Sequence, residues 1–374
     1  MAAEPTAAAT ATAAPPPRTD AEAGADAPDT SRPRGAHRYD IDLIRVLASA
    51  GVILCHAAGQ FMTAVGRAPS GGRAVYWTAL GGDALSRCAV PLFFAIAGWV
   101  VLVGAPPRDG AQVRRRLARI FVPMAVWTAA YLLWARARDT DEDPVRQLAR
   151  DALFGSVRPA FHLWYLYAYV PVILVLSAAV LLRAGRRPWG VGAALLGLAL
   201  ASTLLGDAAR LLDFHAPRFA WQFGVYQIAY AVAGAVLLSL PRTATAGPAR
   251  RSAWFGCAVA AWAGVVWYEH RVHFPSPYAS LLVALLAGAL LVAIAHLRVP
   301  ERIRPLLGRL AGVSFGAYLV HLMLLEALAP HLVSAHAGWL GAPARLTSLW
   351  AATVALSFTA ALLWTRLRLA RWLG

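Results

Sequence analysis

The sequence predicts an all-α protein, a polytopic integral membrane helical bundle with about ten transmembrane helices. Three observations carry that expectation. Of the 374 residues, 59% are hydrophobic and only 14% charged, against roughly 25% charged in an ordinary soluble domain. Apolar runs recur at near-regular intervals from Ile41 onward, and most reach the roughly 20 residues that cross a hydrocarbon core. The basic residues gather in the loops between those runs. No segment alternates with the period of two that a membrane β-barrel needs.

Residues 1–38 are rich in Ala, Pro, Asp and Thr and lack apolar periodicity, which reads as a disordered cytoplasmic tail. No apolar segment precedes a cleavage site, so no signal peptide is expected and the first span directs insertion. Residues 39–374 form the membrane domain. Spans are expected at 41–60, 84–104, 119–135, 163–182, 189–206 (short and Gly-rich), 223–240, 252–268, 279–297, 312–329 and 346–365. No internal repeat of 20–50 residues is visible.

A net charge of +16 would point to nucleic acid in a soluble protein. With the charge confined to loops, the bilayer is the expected surrounding and no nucleic-acid partner is expected. All 35 basic residues are Arg, which fits the codon bias of a GC-rich genome. The tail, four alternate loops and the C-terminal segment hold 22 arginines, and the opposite loops hold 11. Five of those 11 lie in one long loop beside Asp139, Asp141, Glu142 and Asp143, a cluster that reads as solvated. The bias predicts a multi-pass protein of the plasma membrane with both termini cytoplasmic. Cys55, Cys88 and Cys257 all lie in apolar runs without C-x-x-C spacing, so neither a disulfide framework nor a metal site is expected. Cys55 adjoins His56, but neighbouring residues point about 100° apart on a helix, which disfavours a Cys–His catalytic pair.

Ionisable groups within a span are costly and mark functional candidates. The first span carries Arg45 and His56, eleven residues apart. At about 100° per residue they share one face, roughly 16 Å apart along the axis. Asp42 is one turn before Arg45 and can pair with it. The bland alternative has Arg45 snorkelling and His56 filling a helix–helix contact. The second span carries Arg87, Pro91 and Gly98; Arg87 either faces the bundle interior or sits at the outer interface. His162-Leu163-Trp164-Tyr165-Leu166-Tyr167 opens the fourth span, and Tyr167 and Tyr169 read as an aromatic belt. In the ninth span Ser314 and His321 share a face with Tyr318 between them, with structural hydrogen bonding between helices as the alternative.

The order of these pieces resembles the membrane acyltransferases often called acyltransferase family three. The pieces are Asp42-Leu43-Ile44-Arg45 with ten residues before His56, then Arg87 with Val90-Pro91-Leu92-Phe93-Phe94 and Gly98. There follow Arg116-Leu117-Ala118-Arg119-Ile120-Phe121-Val122-Pro123, His162-Leu163-Trp164-Tyr165-Leu166 and Ser314-Phe315-Gly316-Ala317-Tyr318-Leu319-Val320-His321. The resemblance runs from about residue 38 to the end, so 39–374 is expected to be one membrane acyltransferase domain. The family usually has Ser before the glycine of the second span, where this chain has Ala97; a role for that hydroxyl is lost here or supplied elsewhere.

What the resemblance implies is transfer of an acyl group, commonly acetyl, from cytoplasmic acyl-coenzyme A to a hydroxyl. The acceptor would be an extracytoplasmic glycan or a related small molecule. Acyl transfer to an alcohol needs a base with a pKa near the working pH, and His56 fits as general base or transient acyl carrier. Coenzyme A carries phosphates, suitable partners for arginines. The candidate donor- or substrate-binding residues are Asp42, Arg45, Arg87, Arg116, Arg119, Trp164 and His321. Acyl-CoA is the co-substrate, and no metal is expected. The rival reading is a small-solute membrane transporter, which would favour paired Gly/Pro-broken helices in two halves; no such pairing is visible, although Pro91 breaks one span.

Overall fold

Nine of the ten expected spans fall on one helix each, and the second is divided. In chain order the helices are α1 (Tyr39–Ala64), α2 (Arg73–Ser86), α3 (Ala89–Trp99), α4 (Gly110–Arg138), α5 (Val145–Leu153), α6 (Trp164–Arg183) and α7 (Trp189–Leu211). They continue with α8 (Val225–Leu237), α9 (Arg242–Thr245), α10 (Pro248–Arg271), α11 (Leu281–Ile294), α12 (Arg304–Leu332), α13 (Gly341–Arg366) and α14 (Ala370–Leu373). The computed structural model describes residues 37–139, 143–156, 158–245 and 247–374, among which no β-strand occurs. Most of the expected tail, residues 1–36, and residues 140–142 of the acidic loop lie outside the described residues.

Among the described residues, seven stretches are long and apolar enough to cross a membrane: 39–64, 73–104, 110–138, 145–183, 189–211, 301–332 and 341–366. The remaining three expected spans fall short for different reasons. α8 and α11 have 13 and 14 residues, about 20 Å each against a hydrocarbon core of about 30 Å. α10 has 24 residues, but Arg250, Arg251, Glu269 and Arg271 lower its mean hydropathy.

The second expected span, 84–104, is not one helix. α2 stops at Ser86 and α3 starts at Ala89. Pro91 explains the break: it lacks the N–H that would bond the Arg87 carbonyl four residues back, and its ring would clash with that carbonyl. Arg87 therefore stands at the broken joint. The last turn of the segment, Val100–Gly104, is a π-helix.

Within the unit Arg38–Gly374, α1 runs through the centre against α2, α3, α12 and α13. Ile44, Ala48, Val52 and Ile53 are buried along it, small or β-branched residues that let neighbouring helices approach. α3 and α8 come closer still. A Cβ added to Gly98 would sit 1.9 Å from the Ala231 carbonyl oxygen, and one at Gly234 would sit 2.3 Å from the Ala95 Cα. Here the backbones touch, which only glycine permits.

Polar side chains in the bundle mostly find backbone acceptors, as groups shielded from water must. Tyr131 donates to the Leu319 carbonyl at 2.9 Å, Trp262 to Gly81 at 3.0 Å and Trp350 to Ala50 at 2.8 Å. Tyr167, expected in an aromatic belt, is instead fully buried and donates to the Ala152 carbonyl at 2.7 Å. A tyrosine whose hydroxyl can reach an internal carbonyl does not need the membrane interface.

Candidate active site

His56 lies a little past the middle of α1, with its ring among three others. It stacks on His321 of α12 with centroids 5.2 Å apart and planes at 28°. His162 stands edge-on at 6.2 Å, and Phe161 edge-on at 5.1 Å. His162 and His321 are themselves 5.0 Å apart. Three helical or turn segments thus bring three imidazoles together: α1, the 3₁₀ turn Arg158–Leu163 and α12.

The chain fixes the ring of one of these histidines and the backbone of another. His321 Nδ1 lies 2.5 Å from the Tyr318 carbonyl oxygen; a carbonyl only accepts, so Nδ1 carries the proton and Nε2 keeps a lone pair. That Nε2 is buried without a hydrogen-bond partner, as are both ring nitrogens of His162. Tyr318 in turn donates its hydroxyl to the His162 carbonyl at 2.5 Å, tying α12 to the turn that carries His162. Buried polar atoms without partners are uncommon and mark sites where a ligand or water completes the bonding.

Two cavities flank this cluster. The larger, about 350 Å³, is lined by Arg45, Ala97, Arg119, Tyr169 and Ser314 among others. The smaller, about 30 Å³, is lined by Cys55, His56, His162, Trp164 and Tyr278. Phe93, Tyr165 and Tyr318 line both. Arg45 and His56, which the helical period puts on one face of α1, therefore open into adjoining chambers.

The remaining sequence candidates scatter around this frame. Asp42 reaches Arg45 at 3.9 Å. Arg119 is exposed and lines the larger cavity, whereas Arg116 is outside its lining and donates to the Ala105 carbonyl. Trp164 stacks on Tyr278 at 5.7 Å beside the smaller cavity. Ala97 and Ser314 both face the larger one, but the Ser314 hydroxyl already donates to the Ala311 carbonyl at 2.9 Å.

Arg87 is buried rather than at an outer interface, and it is held by the protein itself. It donates to both oxygens of Asp83, at 2.7 and 2.6 Å, and lies 3.3 Å from Glu269. Glu269 Oε1 also accepts from the Ser276 N–H at 3.0 Å, while its Oε2 is buried without a partner. Cys55 donates its thiol to Asp83 at 3.7 Å, so the network backs directly onto the smaller cavity. Charge pairing of this kind makes a buried arginine tolerable in the membrane.

Sequence reasoning missed Asp83, Glu269 and the role of His162. Asp83 and Glu269 each stand one residue outside an expected span, where an acidic residue reads as loop. His162 is quoted within the motif that opens the fourth span, but is given no role of its own there. Among the described residues, no group of three or more His, Cys, Asp or Glu could hold a metal ion.

A family model described as an acyltransferase domain matches residues 38–364, nearly the whole chain. No curated protein matches, and no solved structure does.

Proposed function

The chain belongs to the acyltransferase 3 family of membrane acyltransferases, and from that premise we propose O-acyl transfer from acyl-coenzyme A, acetyl-CoA first, to a hydroxyl on the outer side. The acceptor class is a glycan or a related small molecule. The observation that carries the reading is the pair of adjoining cavities, one lined by Arg45 and Arg119 and the other by His56. Arginines suit the phosphates of coenzyme A because their planar forks donate two hydrogen bonds to one anion. They lie toward the arginine-rich end of the bundle, which on this reading faces the cytoplasm.

The thioester extends from that end through the larger cavity toward Phe93, Tyr165 and Tyr318. His56 takes the proton of the acceptor hydroxyl, and the oxygen attacks the thioester carbonyl carbon. A C–O bond forms, the C–S bond breaks, and the proton passes to the departing thiolate to give free coenzyme A. His321, with Nδ1 committed to a backbone carbonyl, holds the ring of His56 in place by stacking.

The test measures thiol release from acetyl-CoA together with melting temperature, in wild type and in His56→Ala. Loss of a general base costs about 10²–10⁴-fold in rate, so turnover should nearly vanish in a protein that still melts cooperatively. Wild-type turnover per folded His56→Ala molecule would sink the mechanism.

A further inference from the structure

The two cavities differ about tenfold in room, 350 against 30 Å³, and meet at three aromatic side chains. A reacting acyl group must pass this junction, or stop at it, to come within reach of His56. One of the three rings is tied in place. Tyr318 is anchored by its hydroxyl on the His162 carbonyl. Tyr165 is packed between Phe94 at 5.0 Å and Tyr318 at 6.1 Å. Phe93 lies 5.9 Å from Tyr165; it is half-buried and has no polar atom to anchor it.

The room beside His56 sets a scale. One water-sized group needs about 10–15 Å³ of such space, so the smaller chamber takes about two groups of that size. The acetyl carbonyl and the attacking hydroxyl fill it, with the acetyl methyl at the aromatic junction. Two more methylenes have no place unless an aromatic ring moves.

We propose that Phe93, with Tyr165 and the anchored Tyr318 as its counterparts, measures the acyl chain: the protein accepts a two-carbon acyl group and refuses chains of four carbons or more. The proposal rests on the acyl-transfer reading above and adds the length limit and the residue that sets it. Phe93 is a specificity residue here, with no part in the proton transfer.

Acetyl-, butanoyl- and hexanoyl-CoA are offered to the full chain in lipid nanodiscs. Thiol release and equilibrium binding are followed for wild type, Phe93→Ala and Phe93→Leu. One misfitting methylene costs about 10–200-fold in a packed pocket. Wild type should therefore prefer acetyl- over hexanoyl-CoA by at least about a hundredfold, and removing the Phe93 ring should shrink that ratio at least about tenfold. Phe93→Leu keeps apolar bulk without the ring, and its ratio decides the question if Phe93→Ala does not fold. Equal use or binding of all three donors by wild type overturns the length limit and leaves acyl transfer standing. A ratio unchanged in the Phe93 variants overturns the role of that ring. Neither release nor binding with any donor overturns the acyl-transfer reading, and the length limit with it.

Discussion

α7 and α12 are both long apolar helices able to cross a membrane, yet they occupy opposite situations. α7 buries only Val191 and turns Leu196, Leu200 and Leu204 outward. α12 buries thirteen residues, among them Ser314, Tyr318 and His321. Apolar length puts a helix into the bilayer, but lipid tails are as apolar as leucine and give no reason for one apolar helix to seek the centre. Polar and aromatic groups that need partners supply that reason. α12 has a tyrosine and a histidine at mid-helix, whereas α7 has there only the small hydroxyls of Ser202 and Thr203, which can bond back to their own helix. The central position of α12 is thus a consequence of the groups that build the candidate site.

The largest expected effect tests how tightly the centre is built. Gly98→Leu would push a side chain into the Ala231 backbone, where even a Cβ has no room. Loss of folded, monodisperse protein is expected. Gly197→Leu on α7, where nothing lies within 4 Å of an added Cβ, should leave the yield near wild type. Equal yields of the two variants would break the contrast between centre and periphery.

Next in size is the buried charge network. Arg87→Leu leaves Asp83 and Glu269 facing each other without a cation, and breaking a buried pair from one side typically costs about 3–5 kcal/mol. Melting temperature should fall steeply. Adding Asp83→Leu and Glu269→Gln to Arg87→Leu removes the orphaned charges and should recover most of the loss. If the triple variant melts no higher than Arg87→Leu alone, the network is not what holds that joint.

A smaller effect separates the cavity-lining arginines from their neighbour. Hydrogen bonds to charged groups contribute about 1.5–3 kcal/mol, so Arg45→Gln or Arg119→Gln should raise the KM for acetyl-CoA by about tenfold or more. Arg116→Gln, outside the cavity lining, should leave that KM nearly unchanged. The opposite ranking would move the donor site away from the larger cavity.

How much of this could be read from the sequence follows from the same physics. The helices were legible because apolar length is a local property, and the shared face of Arg45 and His56 because helical period is too. The break at Arg87 was latent in Pro91, four residues on. Of the partners of Arg87, Asp83 stands four residues before it, a helical spacing hidden by a span expected to begin at 84. Glu269, by contrast, is 182 positions away, and its pairing depends on which faces of α2 and α10 meet. His162 needed the third dimension as well, since its role comes from the turn at Ala160, whose φ of −130° and ψ of 53° depart from helix. The length of the approach to His56, and the rings that narrow it, belong to packing alone.

The smallest expected effect completes the comparison between α7 and α12. Leu204 on α7 is 61% exposed and Leu319 on α12 is fully buried. Truncating each to Ala removes the same atoms. At Leu319 the neighbours cannot close the gap, and a core Leu→Ala change costs about 2–5 kcal/mol. At Leu204 lipid flows into the vacated space, no cavity forms and no helix contact is lost, so the change should stay within about 0.5 kcal/mol. Melting curves of both variants in the same nanodiscs read the difference directly. A drop at Leu204→Ala as large as that at Leu319→Ala would mean that this face of α7 is packed against another protein surface, and α7 would no longer count as peripheral.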